Sequence, residues 1–230
     1  MIGSYVKRLV EAALGIDSAL AAGLALCVNK GSGGAYIVLY DAKEYVKHAL
    51  ANAKHIGEMT DPRTAECVYG FIRMHVVDPS NGESYGSYEI ANSVARKGYG
   101  PFMYDVAMSL GKPVISDRGS VSPDAQKIWK YYKDNRSDVK KLPLDNKSAP
   151  RTPETFDDSI VFDAGKESEL TNPLNFAYKS GGIDFSKLTQ RHEKVLQLLK
   201  TKIPELTPDR VESSLNHFAE DYFIKRYHGV

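Results

Sequence analysis

The chain has 230 residues, and its 30 basic side chains nearly balance 29 acidic ones. That balance gives no global basic signal for nucleic acid. Cys27 and Cys67 are too few for a disulfide framework and lack the spacing of a metal-ligand set, so no metal site is expected and both read as core or strand thiols of a reducing compartment.

Tyr5, Leu9, Ala12 and Ala13 predict a short amphipathic helix that Gly15 stops. Ala19 to Asn29 reads both ways, since alanine favours helix while Leu24, Leu26 and Val28 alternate like a strand. Its apolar run is too short to span a bilayer, and no signal segment opens the chain, so a soluble protein made in the cytoplasm is expected. Gly31 to Gly34 is a turn, and with the strand Ala35 to Tyr40 it suggests a hairpin. Asp41 to Ala53 is a helix with Tyr45, Val46, Ala49 and Leu50 on one face. His48 and His55 share a side of it, but with no carboxylate or cysteine nearby they read as surface or cap residues. Ala65 to Val77 is a central strand, apolar on both faces. The turn Asp78 to Gly82 joins it antiparallel to a strand over Tyr85 to Ala95, where Tyr88 and Ile90 share one face and Val94 is a third candidate for it.

The next stretch is Arg96-Lys97-Gly98-Tyr99-Gly100-Pro101. Two glycines one residue apart leave the backbone free to take positive φ and to approach a ligand closely. Pro101 suits the first turn of a helix, Phe102, Met103, Val106 and Leu110 give helical spacing, and Gly111 ends the run. The amides at such a helix start form a site for an anion, most often a phosphate. Lys112 to Asp117 is a short strand. Ser122-Pro123 opens a capped helix that buries Ala125, Ile128, Trp129 and Tyr132. Arg73, His75 and Glu89 are polar residues on the bordering strands. They read either as an acceptor pocket, with His75 or Glu89 as general base, or as the solvent side of a half-exposed sheet.

After Asn135 the chain turns charged and proline-rich. Leu142 and Leu144 suit one edge strand, Lys147 to Asp158 an extended loop and Ser159 to Phe162 a last strand. Leu174, Phe176 and Tyr178 read as anchors in a polar segment. Thr189 to Lys202 is a helix with Val195, Leu198 and Leu199 inward. Thr207-Pro208 caps a second, with Val211, Leu215, Phe218, Tyr222 and Phe223 along one face. That stripe packs either on its own domain or on another subunit or partner.

The order strand, Gly-x-Gly turn, helix, strand, helix resembles the acetyl-CoA-binding core of the GNAT superfamily of N-acyltransferases. The wording Ala-Arg-Lys-Gly-Tyr-Gly-Pro-Phe-Met-Tyr-Asp-Val-Ala, then Ser-Asp-Arg-Gly-Ser-Val-Ser and Ala-x-x-x-Trp-x-Tyr-Tyr, is similar to GNAT-like proteins of tailed bacteriophages. The resemblance covers roughly Ala65 to Leu144. It implies an α/β (α+β) fold with a mixed, mostly antiparallel sheet flanked by helices, as a GNAT-like domain over residues 1–145. A linker over 146–187 and a C-terminal helical hairpin appendage over 188–230 would follow. It implies acetyl transfer from acetyl-CoA to an amine, with the main chain near Val94 and Ala95 on the pantetheine arm. Arg96, Lys97, Gly98, Tyr99, Gly100 and Phe102 would hold the pyrophosphate, and His75, Glu89 and Tyr132 are the catalytic candidates. The sequence departs from the family at two positions. Ala95 stands where the turn carries Gln or Arg, and Trp129 where the second helix carries the proton-donating Tyr. The alternative is a fold retained as a virion structural or assembly protein, in host cytoplasm or virion. Phage structural proteins or a second copy would then be its partners.

Overall fold

The structure, a computed structural model, describes residues 15–52, 66–77, 86–117, 121–144 and 172–227, with side chains described as far as Glu220. The helix expected over 5–13, His55, the loop Lys147–Asp158, the strand Ser159–Phe162 and the side chains of Tyr222 and Phe223 lie outside it. Chain order is α1 (Ile16–Ala21), β1 (Leu24–Gly31), β2 (Gly34–Asp41), α2 (Ala42–Ala51), β3 (Val68–Val76) and β4 (Tyr88–Ala95). Then come α3 (Gly100–Met108), β5 (Val114–Ile115), α4 (Pro123–Asn135), β6 (Val139–Pro143), a 3-10 turn (Pro173–Asn175), β7 (Phe176–Ser180), α5 (Ser186–Lys202) and α6 (Pro208–Tyr227). No helix among the described residues is long and apolar enough to cross a membrane.

One seven-stranded sheet runs β1-β2-β3-β4-β5-β7-β6. All its pairs are antiparallel except β4 with β5. The mixed, mostly antiparallel α+β architecture expected from the sequence is therefore present. The ambiguous segment after Ala19 divides in two: Ala21 ends α1 and Leu24 begins β1. β1 and β2 form the expected hairpin, with Gly31 opposite Gly34. Asp41 ends β2 and caps α2, its carboxylate accepting the amides of Lys43 and Glu44.

Helices cover both sheet faces. On one, Ile37, Leu39, Ile72, Met74 and Ile90 meet Phe102, Met103 and Val106 of α3 and Trp129 and Tyr132 of α4. On the other, Val38, Tyr40, Phe71 and Val94 meet Tyr45 of α2, Val195 and Leu199 of α5 and Val211 and Leu215 of α6. α3 lies close on β3 because Gly70 has no side chain: a Cβ there would stand 2.8 Å from Cγ and Sδ of Met103.

Four expectations are corrected. Val94 does not share a face with Tyr88 and Ile90. The β3–β4 register slips where Arg73 faces Asn92 and Met74 faces Ile90, leaving Ala91 as an extra residue. Such a bulge shifts the alternation by one, so Val94 joins the opposite core cluster. Leu50 and Leu198, expected on buried helix faces, are exposed. Phe176–Ser180 is not part of a linker but the strand between β5 and β6. The C-terminal helices, expected as an appendage, lie against the sheet. They share one core cluster with β1, β2 and β3, and Phe218 is buried.

Candidate functional site

β4 and β5 pair only at Tyr88 with Val114 and Glu89 with Ile115, and then part. β4 continues to Ala95 with β3 on one side. On the other side no described strand pairs with Asn92 to Ala95. A cleft of about 790 Å³ opens there. Its walls are Ile90 to Ala95 of β4, Gly100, Met103 and Tyr104 of α3, Asp117, and Val121 to Ala125, Ile128 and Trp129 at the start of α4. The bulge at Ala91 lies in this wall. A bulge bends its strand and breaks the regular ladder, and both help β4 peel from β5.

The cleft ends at the turn into α3. Gly98 holds φ +94°, which L residues rarely adopt. Gly100 does not need positive φ, contrary to the expectation from the sequence; it is the first helical residue, ahead of Pro101. No side chain caps this helix, and the first intrahelical amide to bond is that of Met103, to the Tyr99 carbonyl at 3.0 Å. The amides of Gly100 and Phe102 come before it in the first turn, at the positive end of the helix dipole.

Of the residues singled out for a cofactor, Val94, Ala95 and Gly100 line the cleft. Lys97, Gly98, Tyr99 and Phe102 lie in the adjoining turn, with Lys97 exposed. Tyr99 and Phe102 are buried and offer only main chain, the Tyr99 ring standing edge-on to Tyr69. Arg96 is turned away from the cleft. Its guanidinium donates to the carbonyls of Val68 (3.0 Å) and of Glu66 and lies 4.1 Å from the Tyr69 ring centre.

The catalytic candidates do not gather around the cleft. Tyr132 is fully buried under α3, its hydroxyl 2.8 Å from the Pro101 carbonyl and 3.0 Å from Asp105 Oδ1. His75 and Glu89 face each other across β3 and β4, Nε2 to Oε2 3.3 Å, on the sheet face away from α3. Arg73 shares that face and pairs with Glu220 of α6 at 3.0 Å. Trp129 is packed edge-on to Tyr104 and against Tyr178, an aromatic wall of the cleft.

Tyr104 and Asp124 in the wall were not singled out from the sequence, whereas Asp117 read from its place at a strand end either as a ligand contact or as a partner of Arg118. The Tyr104 hydroxyl lies 3.0 Å from Ser93 Oγ. Burial pushes this phenol up to about 12, so it stays protonated at neutral pH and can donate a hydrogen bond. Asp117 and Asp124 also line the cleft, and the Asp124 carboxylate pairs with Lys127 at 2.8 Å. Tyr104 sits inside the apolar run Phe102 to Met108, where periodicity marks it only as core. Comparison with models of protein families, with curated proteins and with solved structures gives no match.

Proposed function

We propose that the chain binds acetyl-CoA in the β4–β5 cleft and transfers the acetyl group to an amine. One observation carries the reading: an open strand edge, a positive-φ glycine turn and an uncapped helix start follow one another along a single cleft. Acetyl-CoA would supply a thioester activated toward attack by nitrogen. The unpaired edge of β4 at Val94 and Ala95 would pair with the amides of the pantetheine arm as one strand pairs with another. The amides of Gly98, Gly100 and Phe102 would hold the diphosphate at the positive end of α3, with Lys97 adding charge. Arg96 has no part in this, because its guanidinium is already committed to β3. Tyr104, protonated and held by Ser93, is a donor toward negative charge appearing in the cleft. The His75–Glu89 pair would take the amine proton from an acceptor arriving over the opposite face of β4.

A second reading has its own observation. Tyr132 and Arg96 are both engaged in internal hydrogen bonds, and Trp129 is packed where a proton-donating Tyr would stand. Those features suit a fold retained as a scaffold, for which a phage particle and its host cytoplasm are the proposed setting.

Calorimetric titration of acetyl-CoA separates the two. Wild type is expected to bind. Ala125→Phe, which places a ring in the cleft mouth, is expected to weaken binding roughly tenfold or more, about 1.4 kcal/mol, with an unchanged circular dichroism spectrum. No heat from wild type at millimolar acetyl-CoA overturns the enzyme reading and leaves the scaffold.

A further inference from the structure

On the sheet face away from the cleft, β1, α5 and α6 bring together Cys27, His192 and Glu212. The thiol sulfur, an imidazole nitrogen and a carboxylate oxygen all lie within 4.8 Å of one another. These residues are far apart in the chain and meet only because the C-terminal helices lie across β1 and β2.

His192 is 4% exposed, and its Nε2 has no hydrogen-bond partner. Glu212 Oε1 stands 3.8 Å away, beyond hydrogen-bond distance. A buried imidazole nitrogen left without a partner is costly unless something else binds there. The other ring nitrogen, Nδ1, is 2.8 Å from the Tyr40 hydroxyl, which fixes the ring orientation. The other oxygen of Glu212 accepts from Asn29 Nδ2 at 2.7 Å. Two of the three groups are thus oriented by a neighbour, as ligands of a metal usually are. We propose that Cys27, His192 and Glu212 bind a zinc ion, with water in the fourth position.

Sulfur, imidazole and carboxylate together suit zinc better than the hard cations, which take oxygen alone. Ligand atoms about a tetrahedral zinc lie roughly 3.3–3.8 Å apart, given bonds of about 2.0–2.3 Å; the His192–Glu212 pair is already at 3.8 Å, and the cluster as a whole, within 4.8 Å, closes by roughly 1 Å on binding. One thiolate and one carboxylate neutralise the ion, so no net charge is buried. On binding, zinc takes the place of the thiol proton, which leaves to solvent, and no electron is transferred. A nucleophilic role fits worse, because it needs an accessible thiol and Cys27 is 1% exposed. Of the three, Glu212 is the one partly open to solvent, and Asn29, which holds it, lines a surface hollow of about 470 Å³ with Tyr36, Asp209 and Ser213.

Cobalt titration of chelator-treated full-length protein tests this. One equivalent is expected to give tetrahedral visible bands with a thiolate charge-transfer band. One equivalent of zinc should abolish both and raise the thermal midpoint. Cys27→Ser should lose the charge-transfer band, while Cys67→Ser, the control for the other buried thiol, should keep it. Glu212→Gln, at a partly exposed position, should bind cobalt roughly tenfold or more weakly with an unchanged circular dichroism spectrum, and it decides the matter if Cys27→Ser does not fold. No charge-transfer band in wild type overturns the proposal. So does a band that survives Cys27→Ser, or unchanged affinity in Glu212→Gln.

Discussion

Gly98 and Gly100 stand one residue apart at the mouth of the cleft and carry different constraints. At Gly98 the backbone sits at φ +94°. An alanine there should cost about 1–2 kcal/mol, the penalty of an L residue in the left-handed region. At Gly100 the backbone is helical, and an added Cβ would meet only the Ile128 Cδ1 methyl at 3.3 Å. Alanine there gains up to about 1 kcal/mol of helix propensity and loses some to that contact, so Gly100→Ala should be nearly neutral. Urea unfolding of the two variants checks the contrast; equal losses would mean the turn is built differently. The sequence shows the glycine pair and the helix start, but not which glycine carries the strain, because φ depends on how the turn leaves β4. Cys27, His192 and Glu212 were illegible for another reason. Reading metal ligands from spacing detects local sets, and these three are joined only by tertiary packing.

The elements that shape the cleft are held by a small polar network. Arg136, just past α4, donates to both oxygens of Asp105 in α3 at 3.0 and 3.2 Å. It also forks onto Asp138 with two bonds of 2.7 Å. Arg136 and Asp105 are 18% and 17% exposed, so the pair is largely shielded from solvent. Burial raises the Asp105 carboxyl above the usual range, and Arg136 counters that. Arg136 holds Asp138 below it. Arg136→Ala should raise both carboxyls. For Asp105, a folded pKa raised further means stability that is full below the unfolded value and lost as pH rises. For Asp138, a lowered folded pKa gives stability present above the unfolded value, and the variant forfeits it there. Both effects make the variant's deficit larger at neutral pH. It should be about 3 kcal/mol near pH 7, the scale of an uncompensated buried charge, and clearly smaller near pH 4. Urea unfolding at the two pH values measures it, and a deficit that does not change with pH would refute the account. At this scale the sequence was informative: the β1–β2 and β3–β4 hairpins, α3, and α4 with its Ser122 cap are where periodicity and turn residues put them. The bulge at Ala91 was not visible, because an inserted residue looks like any other until the partner strand is in place.

Whole-molecule organisation was the least legible. β7 has only five residues, and the polar, turn-rich sequence around it left Phe176 and Tyr178 readable as anchors but not as a strand. It becomes a strand by pairing with β5 and β6, and the β5 contact, Val114 with Tyr178, spans a long stretch of chain. α5 and α6 showed their apolar stripes in the sequence but not the surface those stripes meet. In the structure that surface is β1 to β3, and Leu215 is fully buried in it. If the two helices are part of one cooperative fold, damage on their face should be felt on the other. Trp129, the one tryptophan, lies on the α3–α4 side and reports from there. Leu215→Ala should cost about 2–5 kcal/mol, the usual range for such a cavity. In metal-free protein, Trp129 fluorescence and far-ultraviolet circular dichroism should show the same lowered urea midpoint in a single transition. A fluorescence midpoint left at the wild-type value while the dichroism signal melts early would mean that the helices unfold by themselves. The sheet and the α3–α4 cleft would then be the independent unit, and the C-terminal helices the separate appendage that the sequence suggested.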